Sequence, residues 1–255
     1  MYQKLTDGHL FSDHLENGEV FSIGGDYLGG SPIQLIADYD SFGCLFSKMS
    51  ENAKQLIENT GFKDWYDKLN VDFDYSIFCH MLSFNSMMKK HHPDIIMESA
   101  IQRTVFYSRS GTKKLSEAVA AKQCACTEYA ILAQAYFQKQ NIPTRYVGGE
   151  LVSNGDFGDF EPHSFIAFKN NGKDYIYDPV NPHIYTGVDF MLPRISECVG
   201  NKDKYFIDAK ALFKKEEFWY YACGDKGCFL HNLPTKKPEK AVSNAIVANI
   251  TANKR

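Results

Sequence analysis

The pattern of apolar and polar positions divides the first ninety residues into a turn-rich start and two helical stretches. Residues 1–35 hold several Gly-containing turn signals, which indicate short strands or an irregular arm. Apolar side chains recur at intervals of three and four over residues 41–69 and again over 74–90, which predicts helices there. The Asn-Thr-Gly run at 59–61 predicts a stop inside the first of them. We expect residues 1–92 to form a mostly helical N-terminal addition.

The next part of the chain predicts a central helix with strands after it. Helical patterns cover residues 93–106 and 115–121. Residues 128–140 are apolar on almost every side, which is typical of a helix buried at the centre of a domain. We expect an α+β core over residues 93–235, followed by a tail over 236–255. Strand patterns occur at 144–152, 163–169, 174–178 and 205–207, and a hairpin is predicted from 217–223 and 228–233.

Composition and charge exclude several classes of function. The formal net charge is −3, so no basic surface for nucleic acid is predicted, and no apolar run approaches the ~18 residues of a membrane-spanning helix. Seven cysteines, an odd number, fit free thiols in a reducing compartment better than a disulfide framework. The first residues lack the basic-then-apolar pattern of a signal peptide. We expect a cytoplasmic protein, or one delivered into a host-cell cytosol if it is a bacterial effector.

Cys126, His163 and Asp178 follow one another in an order that suggests a nucleophilic triad. Cys126 is predicted at the first turn of the buried helix, where the helix dipole and a nearby imidazolium both lower a thiol pKa from ~8.5. The unpaired backbone N–H groups of that turn also suit a developing oxyanion. A buried Cys at a helix start is, taken alone, more often inert packing, so Cys126 becomes a candidate nucleophile only together with a base.

The predicted hairpin supplies that base. The Asn-Gly pair at 171–172 is the preferred centre of a two-residue type I′ turn. With that turn, Phe165 faces Asp178, and His163 lies two residues along on the same face, within reach of the Asp178 side chain. Asp174 is on this face too but lies too far from the histidine. Because a register change of one residue moves Asp178 to the other face, the assignment of Asp178 as the residue that orients the imidazole is testable.

Two other clusters suggest metal binding, and both have a simpler interpretation. The first cluster consists of three cysteines and a histidine, Cys198, Cys223, Cys228 and His231, whose spacing fits a zinc site only loosely. A turn flanked by two packed cysteines explains this spacing better than a zinc site does. In the second, Asp156, Asp159 and Glu161 lack the ordered pattern of a calcium loop, so a solvated lid beside the site is favoured. We expect neither a metal nor another cofactor.

Four motifs occur in a fixed order around the candidate triad. They are Cys126-Thr-Glu-Tyr-Ala130, Asn141-Ile-Pro-Thr-Arg145-Tyr-Val-Gly-Gly149, His163-Ser-Phe165 and Tyr177-Asp178-Pro179. Over about residues 95–182 this order resembles the transglutaminase-like superfamily of papain-fold cysteine enzymes. The resemblance favours Cys126 over Cys124 as the reactive thiol, because only Cys126 has Ala four residues on.

The resemblance implies an α+β papain-like fold, with Cys126 as nucleophile, His163 as base and acid, and Asp178 as orienter. Two departures from the family pattern concern the substrate. The position before the nucleophile is Ala, with Gln123 as a nearby amide, and Phe165 stands where the family usually has Trp. Sequence motifs leave open the second oxyanion donor and the acyl-acceptor site. We expect Gln123, Phe165 and Asp159 to bind substrate.

The resemblance implies acyl transfer through a thioester on Cys126, with a protein glutamine as donor. An amine acceptor gives a crosslink, whereas water gives deamidation, and the sequence does not separate the two outcomes. One alternative is a cysteine protease or amide hydrolase that uses the same triad. A second alternative is a binding module that kept the fold and lost the chemistry.

Overall fold

The computed structural model describes residues 2–4, 10–12, 17–23, 33–89, 102–103, 105–107, 112–152, 160–184, 191–203, 206–213 and 217–222. Within them, the helices are α1 (Gly43–Glu58), α2 (Thr60–Asp67), α3 (Tyr75–Met88), α4 (Leu115–Ala120) and α5 (Cys126–Lys139). The first strands are β1 (Tyr2–Lys4), β2 (Leu10–Ser12), β3 (Val20–Ile23), β4 (Ile33–Ile36) and β5 (Thr112–Lys114). The later strands are β6 (Thr144–Val152), β7 (Phe160–Asn170), β8 (Lys173–Ile184), β9 (Met191–Asp203), β10 (Phe206–Ala211) and β11 (Glu217–Ala222).

Strands β6 to β11 form a closed ring of antiparallel pairs. β6 pairs with β7, and the ring runs through β8, β9 and β10 to β11, which pairs with the other edge of β6. β2 also pairs with β6 and brings β1 into the same sheet. β3, β4 and β5 form a separate small sheet. Helices packed on an antiparallel sheet confirm the predicted α+β class.

Helix α5 is the buried helix that the sequence predicts, and it packs against β6, β7 and β8. Alternation along β7 gives that strand two buried faces. Ile166 and Phe168 belong to the main core beneath the helices. Phe165 and Ala167 are also fully buried but are not members of that core cluster. His163 lies on the same face of β7 as Phe165.

The predicted N-terminal helices are present and pack into the same core as α5. The expected stop falls at Asn59, whose side chain accepts a hydrogen bond from the Phe62 backbone N–H at 2.9 Å, so α2 begins at once. α3 packs against α1, β8 and β9. The Tyr177 hydroxyl donates to Asn85 Oδ1 at 2.5 Å and joins β8 to α3. The predicted boundaries at residues 92 and 235 lie outside the described residues and stay predictions.

The C-terminal part of the ring differs from the sequence prediction in extent. β8 continues to Ile184, beyond the Asp-Pro pair that predicted its end, and β9 was not predicted. β11 coincides with the first arm of the predicted hairpin but pairs with β10 and β6. The second arm at 228–233, the tail at 236–255 and most of the helix predicted at 93–106 lie outside the described residues. Of the described helices, none has the length and apolar character to cross a membrane.

The turn between β7 and β8 has the predicted type and register. Asn171 and Gly172 both have positive φ, 48° and 77°, as a type I′ turn requires. Asn170 pairs with Lys173, and the ladder continues to Ile166 opposite Tyr177. These pairs confirm the predicted register from Asn170 to Ile166. The same register carried one residue further would place Phe165 opposite Asp178.

We expect Gly172→Ala to lower the free energy of unfolding by about 1 kcal/mol, because a Cβ at positive φ strains the backbone. A methyl group added at Gly172 would have no heavy atom within 4 Å, so the cost comes from the backbone alone. Gly43→Ala is the matched control, since Gly43 has φ −52° at the start of α1 and equally open space. It should leave stability unchanged or raise it by up to about 1 kcal/mol. Urea unfolding measures both, and equal effects would contradict the turn assignment.

Candidate active site

Cys126 is the first residue of α5, with Ala125 in the N-cap position. Ser, Thr, Asp or Asn usually holds this position and caps the first amides through a side-chain oxygen. Alanine has no such atom, and α5 shows no side-chain cap at Ala125. The first-turn N–H groups therefore keep their capacity to donate to an oxyanion formed at Cys126.

His163 and Asp178 meet as the hairpin register requires. His163 Nε2 lies 2.8 Å from Asp178 Oδ2, and the carboxylate is fully buried. The other carboxylate oxygen, Oδ1, accepts the Val180 backbone N–H at 3.1 Å, which fixes its orientation. Because Nε2 faces Asp178, Nδ1 is the ring nitrogen left to contact the thiol. The predicted proximity of His163 and Asp178 is confirmed, while their catalytic roles remain a proposal.

Cys126 and His163 share a hydrogen bond, and each changes the ionisation of the other. Burial opposes thiolate formation, but the hydrogen bond and the charge of His163 outweigh it, so the pKa of Cys126 is lowered. Burial likewise opposes the imidazolium, but Asp178 and Cys126 raise the pKa of His163 to about 10. The arrangement favours a thiolate–imidazolium pair, which is the reactive form of a cysteine nucleophile.

Cys124 lies two residues away in a very different environment. Its side chain is 1% exposed, whereas Cys126 is partly exposed. Burial is the main reason that the pKa of Cys124 is raised well above its ordinary value. A buried thiol with a raised pKa reacts slowly, so Cys124 is the less suited of the two to act as a nucleophile. The choice of Cys126 stays a prediction.

The predicted substrate-binding residues have three different outcomes. Gln123 is partly exposed just before α5, and its amide donates weakly to the Ala121 carbonyl at 3.4 Å. Phe165 shares the face of His163 but is fully buried, so its side chain presents no surface to a ligand in this conformation. Asp159 lies outside the described residues. Substrate binding by all three stays a prediction.

The two candidate metal clusters lie largely outside the described residues, so the expectation that neither binds a metal stays a prediction. Three of the four residues in the candidate zinc cluster lie outside the described part of the chain, as do the side chains of the candidate calcium loop. Among the described residues, no group of three or more His, Cys, Asp or Glu side chains could hold a metal ion.

A buried polar network beside Cys126 was missed by the sequence analysis. The Glu128 carboxylate is fully buried and accepts hydrogen bonds from Arg103, Tyr107 and the Ala125 backbone. The available signal was local, since Glu three residues after an N-cap predicts a capping interaction with the N-cap amide. The contribution of Arg103, which is 25 residues away in sequence, has no local signal.

We expect His163→Gln to move the alkylation of Cys126 by iodoacetamide to higher pH. The substitution removes the cation and hydrogen bond that lower the pKa of the thiol. Site-resolved mass spectrometry over a pH series measures the midpoint. Cys44, an exposed thiol on α1, is the internal reference and should not change. A midpoint that stays at the wild-type pH would contradict the thiolate–imidazolium pair.

One family of known proteins matches the segment that carries this site. The family model described as the transglutaminase-like superfamily core matches residues 86–182, which include Cys126, His163 and Asp178. Members of this superfamily are generally cysteine enzymes. Comparisons with curated proteins and with solved structures gave no match. The predicted resemblance is confirmed over residues 86–182, which match the core of the transglutaminase-like superfamily.

Proposed function

We propose that the protein transfers the acyl group of a protein glutamine through a thioester on Cys126, to an amine or to water. The observation that carries this proposal is the continuous set of contacts from the partly exposed Cys126 thiol to His163 and on to the buried Asp178. A thiol held as thiolate beside an imidazolium is suited to attack an unactivated amide carbonyl.

In the first half of the proposed reaction, the Cys126 sulfur attacks the carboxamide carbon of the glutamine side chain. The carbonyl electron pair moves to oxygen, where the first-turn amides of α5 donate to it. When the intermediate collapses, the C–N bond breaks and the nitrogen takes the proton from the His163 imidazolium. Ammonia leaves, and the acyl group stays on Cys126 as a thioester.

In the second half, the acceptor attacks the thioester carbonyl while neutral His163 removes its proton. The C–S bond breaks, so the thiolate and the imidazolium are both restored. A lysine amine forms an isopeptide crosslink, and water converts the glutamine to glutamate. Asp178 supports both halves, because its carboxylate stabilises the imidazolium and fixes the ring through Nε2, which leaves Nδ1 available to the sulfur.

Amine incorporation tests the proposal directly. We expect the wild-type protein to attach a labelled primary amine to a glutamine-bearing protein, and to release glutamate-containing product when no amine is present. Cys126→Ala should reduce both products to background. His163→Ala should slow them by roughly 10²–10⁴, the usual contribution of a general acid–base. Mass spectrometry of the substrate identifies the modified glutamine.

Cys124→Ala is the matched control, because it removes a neighbouring thiol that is buried and has a raised pKa. It should retain activity, provided that its thermal unfolding matches that of the wild type. New peptide termini that depend on Cys126 would assign the triad to proteolysis instead. If Cys126→Ala leaves every measured activity unchanged, the chain is a binding module and the proposal is wrong.

A further inference from the structure

Glu128 connects three parts of the chain directly behind the nucleophile. Its Oε2 accepts the backbone N–H of Ala125, the residue before Cys126, at 2.9 Å. Its Oε1 accepts from Arg103 Nη2 at 2.6 Å and from the Tyr107 hydroxyl at 2.5 Å. A single carboxylate therefore joins the backbone at the active site to a segment that lies more than twenty residues earlier.

A helix cap alone does not explain this arrangement. An exposed glutamate at the third helical position caps an N-terminal amide without burial. Here the side chain of Glu128 has no exposed surface and that of Arg103 is 15% exposed. Burying a charged pair costs desolvation energy, which a purely structural helix start does not require. This cost is consistent with a function at the neighbouring residue.

We propose that Glu128 is a positioning residue, which with Arg103 and Tyr107 fixes the backbone at Cys126 and balances the charge around its sulfur. This inference rests on the proposed function, since it names residues that support the same nucleophile. It extends that function from the three contacting residues to a buried ion pair behind them.

Charged side chains from several elements act on the sulfur of Cys126. Burial raises the pKa of Cys126 and His163 lowers it; of the other charges, Arg103 lowers this pKa and Glu128 raises it. Arg103 and Glu128 thus shift the pKa of Cys126 in opposite directions, although they are bound to each other. Among the described residues, the titratable groups that act on Cys126 or lie next to it are His163 with Asp178, Arg103, Glu128, Tyr146 and Cys124, and Tyr107 donates to Glu128.

The opposite effects of Arg103 and Glu128 on the pKa of Cys126 distinguish a positioning role from a merely structural one. Glu128→Gln removes the negative charge and keeps an acceptor for a neighbouring donor, so the midpoint of Cys126 alkylation should move to lower pH. Arg103→Met removes the positive charge, while Tyr107 and Ala125 still donate to the carboxylate, so the midpoint should move to higher pH. A general loosening of the helix start would move both variants in the same direction.

Two further variants complete the experiment on the full-length protein. Arg103→Lys keeps the positive charge and should restore the midpoint toward that of the wild type. Thr127→Val is the uncharged control at the same helix start, because it removes the buried hydrogen bond of 3.2 Å to Ser164 without changing any charge. It should leave the midpoint unchanged even if it lowers thermal stability.

Iodoacetamide alkylation with site-resolved mass spectrometry needs no substrate, so this test stands even if amine incorporation fails. With an active protein, Glu128→Gln should also lower kcat for amine incorporation roughly ten- to hundredfold, with little change in the KM of the glutamine substrate.

Opposite midpoint shifts for Glu128→Gln and Arg103→Met support the proposal. Shifts in one direction, or midpoints that match that of Thr127→Val, overturn it. If Glu128→Gln does not fold, the comparison of the Cys126 alkylation midpoints of Arg103→Lys and Arg103→Met decides the outcome.

Discussion

The register of one hairpin determines which carboxylate meets His163, the histidine of the candidate active site. The left-handed residues Asn171 and Gly172 pair the two strands so that Asp178 lies beside His163, at 2.8 Å. A strand directs successive side chains to opposite faces, so a slip of one residue would replace this contact with an apolar one. The orientation of the imidazole, and with it the ionisation of Cys126, depends on a turn that lies several residues away from the reacting atoms.

The second constraint is the helix start that carries the thiol. Helix α5 is buried on almost every side, so the ring of strands and the N-terminal helices hold its first residue in a fixed place. In this low-dielectric setting, each nearby charge acts strongly on the sulfur. His163 favours the thiolate, while the buried pair of Arg103 and Glu128 combines one favourable and one unfavourable charge. The ionisation of the thiol therefore depends on side chains from several elements and not on Cys126 alone.

The sequence predicted those features that have local causes. The Asn-Gly turn, the first residue of α5 and the proximity of His163 to Asp178 all follow from short-range rules, and the structure has each of them. The features that the sequence did not predict depend on contacts between residues far apart in the chain. β9 has no clear alternation, β1 and β2 join the ring by pairing with β6, and Arg103 reaches Glu128 from 25 residues away. Strand partners and buried ion pairs are set by tertiary packing, which a single sequence does not encode in any short pattern.

The proposed reaction requires the sulfur of Cys126 to form a thioester with the acyl group of a glutamine. Mixing the protein with a glutamine-containing peptide, without an amine acceptor, and quenching in acid traps the covalent intermediate for mass spectrometry. We expect an adduct on Cys126 with the mass of the peptide less ammonia, which disappears when an amine is added. Product formation with an adduct on another residue, or with none on Cys126 at any quench time, would contradict the claim.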